Sequence, residues 1–471
     1  MNKGLKLNLL TNDELSRIHE YTLQILATNG ITFSGRALEL FKGNGFRVDG
    51  KQVFFTKEQI ENALSLCPKI ITFKGRENKY DFNIGDGKTM GVPGPVGPVN
   101  VSCLDKGTRL GTLEDISNLS KIYHASDVIN VNSNTSVEAN DIDLAHRHLK
   151  VQFEVLKNSS KPSITKIMSF EKTNQILDMT EIALGGLGTM KNGVYLAIGS
   201  SPSLSPLAWE NDTTDCMIAC AMRGQLVSVG TGLTTGITSP QRIFGTLIMQ
   251  NAELLSGITL VQLVNPGNPI IYGTGGMPGN MRGAKYNCGS PTRMLIQTGT
   301  VEIGKHYNLP TRTLTYGTES KALDIQCGIE TYEGTLAGIL SGADYMLSEI
   351  GTTGGLMTVS YEKTIIDEEI TSRILHLRDG IDVSEDAASL DVIYEVGSGG
   401  EYLTTDDTLD NFGDDYYAKI TDWNIPDGEQ DFDYVLKRAN KEWKSRLENA
   451  PESTLDSTTE KDLLEYIQKN M

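Results

Sequence analysis

Trp209, Tyr272, Tyr316, Glu319 and Glu349 are the residues whose types and places in this chain most invite chemistry. Trp209, one of three tryptophans, follows the small-residue stretch GSSPS, and the two tyrosines close short apolar runs. The two glutamates lie in YGTESK and SEIGTTGG, where glycine lets a backbone come close. Aromatic faces beside a carboxylate hold a cation that donates no hydrogen bond, a quaternary ammonium, at about 0.5 to 2 kcal/mol per ring. Tyrosines that pack a core with their hydroxyls satisfied elsewhere give the same pattern, so both interpretations stay open here.

Other constellations carry less. His146 and His148 are two apart in a predicted helix and cannot face one ion together. Cys216 and Cys220 share a helical face, but no third or fourth ligand lies near, and two small hydrophobes in a core explain them better. No metal site is expected. Lys166, near the end of a predicted strand, could form a Schiff base, against the plainer role of an ion-pair partner. The loop GTGGMPG lacks the Lys-Thr ending of a phosphate cradle and opens no helix.

The elements that must position these residues follow from length and pattern. A chain of 471 residues exceeds one ordinary core, so a large barrel with additions or two domains is expected. A net charge of -18 with no basic run makes nucleic acid a poor partner. The first residues, MNKGLKLNLLTNDELSRI, lack a signal-peptide core, no eighteen apolar residues run free of charge, and six scattered cysteines form no CxxC pair. A cytoplasmic protein with reduced thiols and no membrane span is expected.

From residue 89 onward, short apolar runs ending in Gly, Ser, Thr or Asn alternate with amphipathic stretches. The runs are TMGVPG (89–94), VINVNSN (128–134), PSITKIM (162–168), VYLAIGSS (194–201), LVSVGTG (226–232), PIIYGTGG (269–276), RTLTYGTE (312–319) and YMLSEIGT (345–352). Their spacing of roughly 30 to 45 residues leaves room for one helix between each pair, which is the period of a closed (β/α)8 barrel. A doubly wound sheet is the competing α/β fold, and no GxGxxG fingerprint supports it. The predicted organisation is an N-terminal α+β cap (1–86), a TIM barrel (87–380) and a mostly helical C-terminal extension (381–471) that covers the barrel or builds an oligomer interface. In a barrel the functional groups project from the C-terminal strand ends. Those ends are small, hydroxylic and glycine-rich here, with neither paired carboxylates nor a nucleophile beside a base.

Three blocks, AELLSGITLVQLVNPGNPIIYG, SYEKTIIDEEITSRILHLRDGIDV and SLDVIYEVGSGGEYL, resemble the trimethylamine methyltransferase superfamily, and the resemblance runs over nearly the whole chain. It implies a TIM barrel that transfers a methyl group to a cognate corrinoid protein, with the corrinoid carried by that partner and no cofactor tightly bound to this chain. Founding members use pyrrolysine. This chain has standard residues only and resembles the other branch, some of whose members demethylate quaternary amines such as glycine betaine, proline betaine or carnitine. Two departures stand out: TESK (318–321) and DIQCGIE (324–330) where many relatives read TDAK and DAQAGYE, and Asp407-Thr408 where relatives often carry His-Thr.

The implied chemistry fits the composition. A quaternary nitrogen leaves as a neutral amine, so no general acid is required, and the protein chiefly holds one methyl carbon toward the mouth. A donor that bears a carboxylate would need an arginine: Arg282, in the loop after run six, is the expected one, with Arg312, at the start of run seven, expected to be structural. Two other classes remain: a Schiff-base lyase using Lys166, and a betaine-binding protein without catalysis.

Overall fold

The computed structural model of the chain describes residues 4–283, 285–347, 349–421 and 433–471. Seven parallel strands lie side by side in chain order: Asn132–Ser133, Ser163–Thr165, Leu196–Ser203, Leu226–Thr231, Ile270–Gly273, Thr311–Leu314 and Tyr345–Leu347. The first run, 89–94, closes them into a ring. Gly91 pairs in parallel with Tyr345 and Pro93 with Val131, through Gly91 N to Asp344 O (2.9 Å), Met346 N to Gly91 O (2.8 Å) and Gly94 N to Val131 O (3.0 Å). Pro93 and Pro95 offer no N–H, which breaks this edge of the ladder into single bridges. The barrel of eight expected from the runs is therefore closed, with run one followed by strands two to eight.

One helix follows each of the eight: Leu113–His124, Arg147–Asn158, Phe170–Ala183, Asn211–Met222, Ile243–Val264, Pro291–His306, Ile325–Leu340 and Tyr361–Asp379. Their starts are encoded locally. Thr112 and Asp115 form a reciprocal capping box; Ser169, Ser290, Asp324 and Ser360 each accept a first-turn N–H; and Pro291 sits where its missing N–H costs nothing. Ile243–Val264 is long and apolar enough to cross a membrane by length and composition, but it is mostly buried, packed between the barrel wall and helices Asn12–Thr28 and Lys57–Leu66.

The N-terminal elements do two things. Helices Asn12–Thr28, Gly35–Gly43 and Lys57–Leu66, with a small antiparallel sheet, cover the outside of the barrel. The hairpin Ile71–Phe73 with Phe82–Ile84 then plugs the barrel at its N-terminal end, Phe73 stacking on Phe82 (4.9 Å) and on Tyr345 (5.9 Å). The plug leaves the opposite end as the open one.

Three hairpins that the periodicity did not reveal stand over that open end. Asn100–Cys103 with Gly107–Leu110, after run one, joins Thr352–Thr353 and Thr358–Ser360, after strand eight, in a four-stranded sheet. Gly279–Asn280 with Lys285–Tyr286 follows strand six. In the C-terminal extension, Leu390–Val396 is helical. Tyr434–Glu448 is a longer helix. It packs on Tyr361–Asp379, with Trp443 stacked on Tyr361 (4.8 Å) and donating to Glu362 Oε1 (3.0 Å).

Candidate active site at the barrel mouth

Side chains along a strand alternate between lumen and helix layer, and here the two sets separate into different clusters. Ala197, Leu226, Ile271, Leu314, Tyr345 and Leu347 meet inside the barrel above Phe73. Ile198, Val227, Val229, Ile270 and Tyr272 face the helices. By the same parity Gly230, Gly273 and Arg312 point inward, and register sets Arg312 beside Gly273 on one side and Tyr345 on the other. The glycines are obligatory: a Cβ at Gly230 would lie 2.1 Å from Arg312 Nη2, and one at Gly273 2.1 Å from its Cγ. A register shift in strand four between Ile198 and Ser201 lets Ser200 face the lumen, where it remains half-buried.

Arg312 is fully buried and forms no ion pair among the described residues. Its Nη1 donates to Thr274 O (3.2 Å) and Nη2 to Ser200 Oγ (3.3 Å), while Nε has no partner. The nearby lumen hydroxyls of Tyr345 and Ser228 are also unpartnered. Burial pulls the guanidinium down to about 9, low for an arginine yet still protonated at neutral pH.

Nearer the opening, Glu349 follows the end of strand eight and is fully buried. One carboxylate oxygen, Oε2, is bound by Arg293 Nη2 and by Gly317 N (3.0 Å); the other, Oε1, is buried without a donor. Arg293 is itself fully buried and donates to Cys288 O (2.7 Å) and Gly317 O (3.3 Å). Beside this pair Glu319 accepts from Cys288 N (2.9 Å) and Cys288 Sγ (3.2 Å), and burial pushes that thiol well above its ordinary range. Glu330 holds the turn by accepting from Thr318 Oγ1 (2.5 Å) and Glu319 N (2.9 Å). Tyr286, on the hairpin after strand six, leans over the group and donates to Gly355 O (3.0 Å). Burial and the neighbouring Cys288, Glu319 and Glu349 raise its phenol.

The rim at strands two and three is built differently. Lys166 is ion-paired with Glu138, whose other oxygen meets Arg147 (3.1 Å), beside a cavity of about 180 Å³ that His148 also lines. His148 Nε2 is engaged by Gln175 (2.6 Å), and burial lowers its pKa. Lys166 is thus an ion-pair partner in this structure, the plainer of the two roles its place in the sequence allows.

The residues singled out by sequence thus divide. Glu319 and Glu349 come together at the ends of strands seven and eight. Trp209 lies outside the barrel, stacked on Phe33 and donating to Ser256 Oγ (3.0 Å). Tyr272 faces outward and donates to Asn251 Oδ1 (2.9 Å); Tyr316 packs behind strands seven and eight with its hydroxyl on Thr371 Oγ1 (2.8 Å). The structure therefore corrects the expected aromatic box: these three rings fill helix-to-barrel contacts. Arg282 is exposed in the turn between Gly279–Asn280 and Lys285–Tyr286, so the inward arginine is Arg312, which had been expected to be structural. Parity was the available signal, because Tyr272 lies between two inward residues of its strand and must point out. Arg293 and Tyr286 carried no signal of their own; each enters the site from beyond the strand ends. Cys216 and Cys220 are both buried in the outer core, and among the described residues no cluster of His, Cys, Asp and Glu could hold a metal ion.

Comparison with known proteins agrees with the early resemblance. A glycine betaine methyltransferase from Desulfitobacterium hafniense (strain Y51) is 32% identical over 465 residues, covering 98% of this chain and 97% of the relative. A proline betaine:corrinoid methyltransferase from Eubacterium limosum is 29% identical, covering 96% and 95%. An L-carnitine:corrinoid methyltransferase from the same organism is 25% identical, covering 94% of each. The family described as Trimethylamine methyltransferase (MTTB) matches residues 1–471, and the chain belongs to that family of methyltransferases.

Proposed function

We propose that this protein takes a methyl group from a quaternary amine, of the betaine type named for its relatives, and delivers it to Co(I) of a separate corrinoid protein docked on the barrel mouth. The observation that carries this is Glu349 Oε1, a carboxylate oxygen at the mouth end of strand eight, buried with no donor. Leaving such an oxygen bare is costly unless a donor or a positive charge comes to it, and a quaternary ammonium supplies the charge. Glu319 and the Tyr286 ring add negative charge and an aromatic face on the same side.

The corrinoid supplies the nucleophile. What this chain has to do is fix the donor nitrogen below the opening with one N–CH3 bond directed out, and keep the amine dry while the bond breaks. The nitrogen departs neutral, so no proton has to be delivered, and Glu349 need only hold charge. Because that charge disappears as the methyl leaves, tight ground-state binding would gain no rate. The rim suits a protein partner: Leu110, Leu144, Leu204, Ile237, Met281 and Ile325, from six different strand-end loops, are all exposed.

The test incubates the protein with a reduced corrinoid protein and a panel of quaternary amines and follows the methyl-Co(III) spectrum. Methylation with at least one compound is the expected result. Tight binding without methylation across the panel would make this a binding protein, and borohydride trapping at Lys166 would make it a lyase; either overturns the proposal.

A further inference from the structure

Resting on that methyl-transfer reading, we infer that the donor carries a carboxylate and enters the barrel carboxylate-first, with Arg312 as its receptor on the lumen floor and Glu349 at the level of its nitrogen. Donors with and without a carboxylate would suit the upper site equally, since Glu349 addresses only the positive end. The floor makes the distinction. Arg312 offers five N–H donors, uses two of them at 3.2 and 3.3 Å, and leaves Nε bare; Tyr345 OH and Ser228 Oγ, facing the same space, are bare as well. Three unpartnered donors around a cation with no counter-ion describe a site for an anion that accepts several hydrogen bonds. Every other arginine that is fully buried here has a carboxylate: Arg293 has Glu349.

Ser200, whose hydroxyl touches the guanidinium, is half-buried, as are Val96 and Pro202 on the same lumen wall, whereas Phe73 and Tyr345 seal the floor from below. Glu349 lies beyond the end of strand eight, on the mouth side of Tyr345, the register partner of Arg312. A cation deep in the barrel and a carboxylate nearer the mouth impose an order on a zwitterion: acid end down, N-methyl end toward the partner protein. The order places the reacting carbon at the exit, as the transfer requires. Burial lowers the Arg312 pKa only to about 9, so the receptor is charged at neutral pH.

The experiment compares each acid with its own methyl ester by calorimetry on the intact chain, without corrinoid protein: glycine betaine, proline betaine and carnitine. In at least one pair the acid should bind about 10- to 100-fold more tightly, the range of a charged hydrogen-bonded pair. This preference runs against the overall field, since a chain of net charge -18 favours the cationic ester. Arg312→Met should remove the preference and Arg312→Lys keep part of it. Acid and ester binding alike in all three pairs, or a folded Arg312→Met with the preference intact, overturns the inference. Should Arg312→Met fail to fold, the ester series decides alone. A carboxylate preference with no cobalt methylated would instead count against the methyl-transfer reading and leave Arg312 as a carboxylate receptor.

Discussion

Lys161 and Arg312 are both buried in this barrel with no carboxylate partner among the described residues, and they are satisfied to different degrees. Lys161, entering strand three at the plugged end, donates to Tyr123 O (2.7 Å), Ser126 O (2.6 Å) and Ile129 O (2.7 Å). All three ammonium protons are used, and although burial pulls its pKa down to about 8, the group stays charged at neutral pH. Arg312, facing the open end, makes two long bonds and leaves Nε without a partner. A cation whose donors are all matched is finished by the fold. One whose donors are left over is finished by something that comes and goes.

The sharpest way to break this contrast is to remove each cation while keeping its apolar stem. Lys161→Met strands the carbonyls of Ser126 and Ile129 at about 1 kcal/mol or more each, Tyr123 O keeping the Ser126 N–H, so a loss of about 2 kcal/mol or more is expected in a denaturant titration. Arg312→Met removes a buried charge that nothing balances, and stability should hold or rise. Equal destabilisation of the two variants would mean that Arg312 is structural after all.

Glu349 tests the upper half of the same axis. In Glu349→Gln an amide replaces the carboxylate that faces Arg293, leaving that buried guanidinium without its counter-charge. A loss of about 1.5 to 3 kcal/mol of stability is expected from weakening a charged hydrogen bond. KM for the donor should rise about tenfold with a smaller change in kcat, because the positive charge that Glu349 holds is leaving in the transition state. A fall in kcat alone would assign Glu349 to the bond-breaking step, not to holding the donor.

The difference between these regions bears on how far the amino-acid sequence could be read. Parallel strands buried on both faces have to be apolar and short, which is why eight runs could be counted before any topology was known. The hairpin strand Gly107–Leu110 is exposed at all four residues and so carries no such mark. Position along a run gives height in the barrel and says nothing of direction. Tyr272 and Tyr316 were therefore placed at the right height and on the wrong side of the wall. Gly230 and Gly273 held the missing clue, because paired glycines at one level of adjacent strands make room for a large inward side chain, and only Arg312 is there to fill it. Arg293 reaches Glu349 from the first turn of a helix 56 residues earlier in the chain, a separation that no local pattern reports.

Tyr316 gives a smaller effect of opposite character. Its ring lies behind strand seven and its hydroxyl meets Thr371 Oγ1, while Thr331 and Lys363 donate to its carbonyl. Tyr316→Phe should cost about 1 kcal/mol, the worth of one buried neutral hydrogen bond, with donor KM unchanged. A KM that rises with stability intact would return Tyr316 to the site.

The smallest expected effect is a pH dependence at the plugged end, beside Lys161. His124 sits at the end of helix Leu113–His124, within 3.3 Å of Tyr80 OH and 3.4 Å of Ser159 Oγ. Burial is the main cause that brings its pKa down to about 4; Lys161, Lys79 and Arg76 push the same way and Glu77 opposes them. An unfolded chain takes up this proton near the ordinary histidine value of about 6.5, whereas the folded one waits until about 4. Between those values the unfolded state binds more protons, so the stability that neutral His124 contributes is whole above about 6.5 and is lost as pH falls toward 4. Denaturant midpoints measured across that window should drift down in the native protein and flatten in His124→Gln. An unchanged slope in the variant would show that this end of the barrel is indifferent to His124, and would leave the three carbonyls, not the charge they surround, as the reason Lys161 is there.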